Sequence, residues 1–134
     1  MPNPPKVKKN EGKFLGTIDS LPPTAYFAAM SLRGKKLGLL LSTPPGQPGF
    51  QHGLRLAETA LAEGVEVFLY CVDEAVRGVD EPRLQSLAAR GLKLYFCAYG
   101  AQRRGLERNP NANYAGLALL SDVMAATDRF VSFN

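Results

Sequence analysis

Four short apolar runs, separated by segments long enough to form helices, set the strongest limit on how this chain can fold. The runs cover residues 36–42, 65–72, 92–96 and 129–133. A run that is apolar at nearly every position is typical of a strand buried on both faces of a parallel sheet. Parallel strands need a crossover between them, which is usually a helix. The spacing of the runs therefore predicts a series of βαβ units.

The intervals between these runs carry helical patterns, and glycines mark where the first two helices end. Apolar residues recur at helical spacing over 50–63, from about 81 to 90, and over 114–126. Gly64 and Gly91 directly follow the first two of these segments, where a glycine commonly ends a helix in the left-handed conformation. The pattern predicts three crossover helices.

Two further segments and one capping residue complete the expected layout. Asp80 is placed to cap the second helix, whose first turn contains a proline. Residues 43–49 contain three prolines, and we expect no regular structure there. Residues 97–113 form a long polar stretch. A loop of that length is too long for a simple connection, which favours a functional role.

This layout predicts an α/β fold: a three-layer sandwich with a mostly parallel, flavodoxin-like twisted sheet flanked by helices. In such sheets, loops at the carboxyl ends of the strands build the site where the strand order reverses. With a flavodoxin-like strand order, the first and third strands are neighbours at that point. Loop 42–49, with Ser42, Thr43 and Gly46, would then face the segment that begins at Cys97.

The chain divides into an amino-terminal part, residues 1–34, and an α/β domain, residues 35–134. The net charge is +4, and the first thirteen residues contain four lysines against one glutamate. Because the excess charge lies mostly on this tail, nucleic acid is not the expected partner. Residues 14–33 are too apolar for a free linker. They either pack across the body of the protein or form an arm that covers a neighbouring subunit.

Cysteine content and apolar patterning indicate a cytoplasmic protein. Two cysteines in 134 residues do not make a disulfide framework, which suits a reducing compartment. No apolar run is long enough to span a bilayer. The charged amino terminus is not followed by the apolar region of a secretory signal.

Cys97 is the residue with the strongest chemical signal. It directly follows a buried strand, and Arg103 and Arg104 come soon after it. A nearby cation or a helix amino terminus lowers the pKa of a thiol, and the thiolate is the nucleophile of cysteine chemistry. The alternative is a core cysteine, since free cysteine is among the most buried residue types.

The other chemistry-bearing residues give weaker signals. Cys71 also ends a strand, but the acidic residues after it oppose thiolate formation, and its distance from Cys97 depends on the strand order. His52, the single histidine, is expected to lie on the surface or near a helix cap. One histidine and two separated cysteines form no metal pattern. Loop 42–49 has no phosphate-binding motif, although Ser42 and Thr43 could contact an anion.

Residues 35–133 resemble the DsrE/DsrF-like sulfur-relay family, especially its TusD and DsrE subunits. The most specific match is CAYGAQRRG at 97–105, where cysteine, alanine, paired arginine and glycine keep the family spacing. KKLGLLLSTPP in the first strand and TDRFVSF at the end of the chain match more loosely. Residues 1–34 have no counterpart in the short members of the family.

The resemblance implies a sulfur carrier or sulfurtransferase in which Cys97 accepts sulfane sulfur as a persulfide and relays it. Arg103 or Arg104 would stabilise the anionic sulfur, and no cofactor or metal would be needed. Sulfur-donor and sulfur-acceptor proteins would be the partners. The protein would form a homomeric trimer or hexamer, or a mixed complex. Two alternatives remain: a flavodoxin-like module that binds a small molecule or anion, and a non-catalytic structural subunit of such an oligomer.

Overall fold

A computed structural model of the protein describes residues 31–134. The expected basic tail and apolar extension lie outside the described residues, apart from residues 31–34. The division of the chain at residue 34 therefore stays a prediction.

Within residues 31–134, five strands form one parallel sheet in the order β4-β3-β2-β1-β5. The strands are β1 Lys36–Leu41, β2 Glu66–Cys71, β3 Lys93–Cys97, β4 Tyr114–Ala115 and β5 Arg129–Phe133. The helices are α1 Pro48–Ala62, α2 Pro82–Ala89, α3 Ala98–Arg103 and α4 Leu117–Ala126, and a 3₁₀ helix spans Asp73–Gly78. The predicted α/β fold with a parallel sheet is confirmed.

Alternation along the strands divides the core between the two faces of the sheet. One face packs against α1 and α2 and includes Leu39, Leu69 and Cys71. The opposite face carries Tyr70 and Cys97, against which Leu119 and Leu120 of α4 pack. Fully burying a leucine contributes about 1.5–3 kcal/mol. Both faces are therefore covered, which gives the expected three layers.

The helix ends confirm the role assigned to glycine. Gly64 and Gly91 have φ angles of +80° and +109°. Beyond them, the Val65 N–H donates to Ala60 O and the Leu92 N–H to Leu87 O, both at 3.0 Å. These bonds are the Schellman arrangement, in which a residue in the left-handed conformation closes the last helical turn.

The strand order differs from the expected one, because β2 separates β1 from β3. Helices α1 and α2 cover the same face of the sheet. Right-handed crossovers on one face move the chain in one direction, so it steps from β1 through β2 to β3. Only the crossover through α4, on the other face, reverses the direction. The reversal consequently lies between β1 and β5, and Cys97 is not next to β1.

Several predicted boundaries were wrong, each for a local reason. Helix α1 begins at Pro48 rather than at residue 50, since proline is accepted in the first turn. Asp80 does not cap α2: Glu81 is the N-cap residue, and Asp80 Oδ1 accepts a bond from Asn109 Nδ2 at 3.0 Å. The last helix starts at Leu117 rather than at residue 114, because residues 114 and 115 pair with β3 as β4.

Candidate functional site

Cys97 lies at the junction of β3 and α3, where the buried strand reaches the edge of the sheet. It is the last residue of β3 and the N-cap of α3. Its Sγ accepts a hydrogen bond from the Gly100 N–H at 3.3 Å. Only 6% of the residue is exposed. The thiol is thus held by the backbone of the short helix that follows it.

Gly100 leaves space beside this sulfur. A Cβ at this position would lie 3.6 Å from Cys97 Sγ and 3.4 Å from Val76 Cγ1. Both are ordinary van der Waals distances, so a methyl group here would contact the sulfur without displacing its neighbours. Because Gly100 is itself buried, this space lies inside the protein, beside the sulfur.

Tyr70, on the neighbouring strand β2, lies in the same buried cluster as Cys97. It is 1% exposed, and its hydroxyl donates to Ala115 O at 2.8 Å. Burial raises the pKa of Tyr70, and the neighbouring Cys97 raises it further. Sequence reasoning missed this residue. The available signal was a tyrosine within an apolar strand, because a buried phenol needs a hydrogen-bond partner.

The two predicted arginines lie beside Cys97 in sequence but contact other groups. Arg104 Nε is 2.6 Å from Glu74 Oε2, and its Nη1 donates to Gly100 O at 3.2 Å. Arg103 Nη1 donates to Tyr99 Oη at 3.2 Å. Within residues 31–134, neither guanidinium is hydrogen-bonded to the sulfur. Arg104 instead binds the carbonyl of Gly100, the residue whose N–H donates to the Cys97 sulfur.

Glu74 joins the 3₁₀ helix to the segment that follows Cys97. Hydrogen bonds from Arg77 and Arg104 lower the pKa of its carboxyl group, outweighing the opposing effect of burial. Arg77 Nε lies 2.6 Å from Glu74 Oε1. The carboxylate is therefore charged at neutral pH and links two cations near the site.

The remaining predicted site residues are not brought to Cys97. The Ser42 hydroxyl donates to Asn134 Oδ1 at 3.0 Å, which places it at the reversal between β1 and β5. Thr43 Oγ1, on the same loop, is buried without a hydrogen-bond partner among the described residues. Gly46 is exposed, with nothing within 4 Å of a Cβ built on it. The expected meeting of loop 42–49 with the Cys97 segment is not found.

The second cysteine and the histidine also lie away from the site. Cys71 pairs with Phe96 in the β2–β3 register, so it points to the opposite face from Cys97. It is fully buried, and burial raises the pKa of its thiol. His52 is exposed on α1, the helix that covers the Cys71 face. Neither residue is positioned to act on Cys97.

Comparison with known proteins agrees with this architecture. The crystal structure of the YchN protein from E. coli is similar, with a TM-score of 0.64 and 18% sequence identity. The similarity covers 74% of this chain and 98% of YchN. At that identity it establishes the fold alone. No curated protein sequence matches the chain significantly.

Across residues 31–134, no helix combines the length and the apolar character needed to cross a membrane. Residues 35–133 match the sequence model of the DsrE/DsrF-like family, as the sequence resemblance predicts. Because this match spans most of the chain, the protein belongs to the DsrE/DsrF-like family.

Proposed function

We propose that the protein is a sulfur carrier or sulfurtransferase that accepts sulfane sulfur on Cys97 as a persulfide and relays it to a partner. The observation that carries this proposal is the setting of Cys97. Cys97 ends a buried strand, and its sulfur accepts a hydrogen bond from the Gly100 N–H in the first turn of the helix that follows. Membership of a family associated with sulfur relay supports the same chemistry.

The transfer needs two displacements at sulfur. The Cys97 thiolate attacks the terminal sulfur of a donor persulfide, the donor S–S bond breaks, and the donor thiolate leaves. The product is a persulfide on Cys97. An acceptor thiolate then attacks its terminal sulfur, and Cys97 leaves as a thiolate. One sulfur atom passes along at constant total oxidation state, so neither step requires an oxidant or a reductant.

The two arginines take different parts in this proposal. Arg104 stabilises the sulfur site indirectly, because its Nη1 holds the carbonyl of Gly100. Arg103 is exposed, and its guanidinium carbon lies 5.9 Å from the centre of the Tyr99 ring. Tyr99 is 66% exposed. Arginine and tyrosine are enriched at binding hot spots, so this pair suits contact with an acidic surface on a donor or acceptor protein.

Exposed apolar residues on α4 support the proposed oligomer. Leu117 and Met124 are 62% and 53% exposed. Val123 is the one residue of this ten-residue helix that is buried. Leu117 and Met124 lie seven residues apart and therefore on the same side of the helix, and exposed apolar surface commonly marks an interaction site. We therefore place the contact between subunits, in a homomeric trimer or hexamer or in a mixed complex, on this helix.

Intact-mass spectrometry after exposure to a low-molecular-weight polysulfide tests the function. The wild type should gain the mass of one sulfur atom, and a reducing thiol should remove it. Cys97→Ser should gain none, while Cys71→Ala, the matched control, should load like the wild type. Equal loading of Cys97→Ser and the wild type, or no loading of the wild type, would overturn the proposal.

A further inference from the structure

A continuous series of polar contacts connects the 3₁₀ helix to the Cys97 sulfur. Glu74 Oε2 accepts a hydrogen bond from Arg104 Nε at 2.6 Å. Arg104 Nη1 donates to Gly100 O at 3.2 Å, and the Gly100 N–H donates to Cys97 Sγ at 3.3 Å. Each residue in the series therefore contacts the one that follows it, from a carboxylate on the 3₁₀ helix to the thiol at the end of β3.

The Gly100 carbonyl depends on the Arg104 side chain for a partner. In a longer helix, Gly100 O would accept the N–H of the residue four positions later. That N–H, on Arg104, donates to Ala101 O at 3.3 Å instead. The last carbonyls of a helix are commonly satisfied by side chains. Because glycine has no side chain to restrict its backbone, the Arg104 guanidinium holds in place the residue whose N–H bonds the sulfur.

Glu74 in turn holds the guanidinium of Arg104. The donors of arginine lie in one rigid plane, so a carboxylate bound at Nε also sets where Nη1 points. Arg77 Nε binds the other oxygen of the same carboxylate at 2.6 Å. Among the described residues, Arg77 makes no hydrogen bond to α3, and Arg103 is turned to Tyr99 Oη. Arg104 is therefore the arginine that connects Glu74 to the sulfur site.

We propose that Glu74 is a positioning residue for Cys97: it orients Arg104, Arg104 holds Gly100, and the Gly100 N–H stabilises the Cys97 thiolate. The effect comes from the contact with Arg104 rather than from the charge of the carboxylate. The proposal concerns the ionisation of the thiol, and only its consequence for sulfur loading rests on the proposed function.

Two substitutions at position 74 separate the contact from the charge. Glu74→Gln and Glu74→Ala both remove the negative charge, but glutamine keeps an oxygen that can accept from Arg104 Nε. Any effect of the lost charge is therefore shared by the two variants. Each full-length variant is alkylated with iodoacetamide across a pH series, and the label on Cys97 is located by peptide mass spectrometry. Arg77→Ala is the control, because it removes a cation from the same carboxylate and leaves the bond to Arg104 in place.

We expect the midpoint of the alkylation profile to lie about half a pH unit higher in Glu74→Ala than in Glu74→Gln, a roughly three-fold loss of thiolate below it. Sulfur loading at neutral pH should differ by the same factor. When each substitution is combined with Arg104→Ala, the two midpoints should coincide, because Glu74 acts through Arg104. Arg77→Ala should stay close to the wild-type midpoint.

Three results would overturn the proposal. Equal midpoints in Glu74→Gln and Glu74→Ala, with a lower stability of the alanine variant, would show a purely structural role. A difference that persists in the presence of Arg104→Ala would show another route. A rise in Arg77→Ala as large as that in Glu74→Ala would assign the effect to the general charge of the 3₁₀ helix.

Arg104→Lys covers the case in which Glu74→Ala does not fold. Lysine keeps the positive charge but lacks the planar fork that reaches the Glu74 carboxylate and Gly100 O together. Its midpoint should rise above that of the wild type, and exchange of the Gly100 amide proton, followed by NMR, should quicken several-fold. An unchanged midpoint would count against the positioning role. If the wild type loads no sulfur, the proposed function fails, while the alkylation midpoints still decide the role of Glu74.

Discussion

Gly100→Ala separates access to the Cys97 sulfur from its ionisation. The new methyl group would lie 3.4 Å from Val76 Cγ1, 3.5 Å from Cys97 Cβ and 3.6 Å from Cys97 Sγ. These contacts require no shift of the backbone. The N–H that bonds the sulfur is kept. The substitution therefore places a methyl group against the sulfur without removing a bond to it.

The expected changes in stability and reactivity have opposite signs. Alanine is favoured over glycine inside a helix by about 0.5–1 kcal/mol. Because Gly100 lies in the first turn of the six-residue α3, we expect a gain of about 0.5 kcal/mol, or about 3 °C in Tm. Alkylation and sulfur loading of Cys97 should slow several-fold at every pH. The pH at the midpoint of the alkylation profile should stay unchanged.

Differential scanning calorimetry and alkylation across a pH series measure both effects. Gly46→Ala is the control, because a Cβ there would have nothing within 4 Å; it should alkylate like the wild type. A wild-type rate in Gly100→Ala would show that reagents reach the sulfur from another side. A fall in Tm would show that the space beside the sulfur is smaller than these distances indicate. A shifted midpoint would show that the bond from the N–H had changed.

Two further predictions concern Cys71 and the arginines. Burial raises the pKa of Cys71 in the folded protein, so its contribution to stability is complete below the ordinary thiol pKa of about 8.5 and is lost as the pH rises. Urea unfolding of the wild type should thus lose about 1.4 kcal/mol per pH unit more than Cys71→Ala above that pH, and parallel curves would refute this. Arg104→Ala should cost about 1 kcal/mol of unfolding free energy through the lost bond to Gly100 O and its packed stem, whereas Arg103→Ala should stay within about 0.5 kcal/mol. Equal losses in the two arginine variants would contradict the difference in their contacts.

Local sequence patterns predicted most of the helices and strands. The rule that a glycine often follows the end of a helix would also have found α3, which was not predicted. Gly64 and Gly91 end helices as expected, and Gly105 ends α3 in the same way, with φ +62° and a Leu106 N–H to Ala101 O bond of 3.1 Å. The polar composition of 97–113 hid this helix. A glycine following AYGAQRR was the available signal.

The strand order and the environment of the thiol could not be predicted from local patterns. The order depends on which face each crossover helix covers, and both faces suit an apolar helix. Cys97 was predicted as the reactive residue because a strand end is visible in sequence. Tyr70 was not, because its meeting with Cys97 depends on the β2–β3 register and on the position of Ala115 in β4.

The opposite orientation of the two cysteines determines how a loaded Cys97 could be discharged. Thiols whose Cβ vectors point to different faces of one sheet cannot be bridged without moving the backbone. The chain has no third cysteine, so it cannot close an internal disulfide and release the carried sulfur as sulfide. A persulfide on Cys97 would persist until a thiol of another molecule attacked it. Docking, rather than chemistry within the subunit, would then decide when the sulfur leaves.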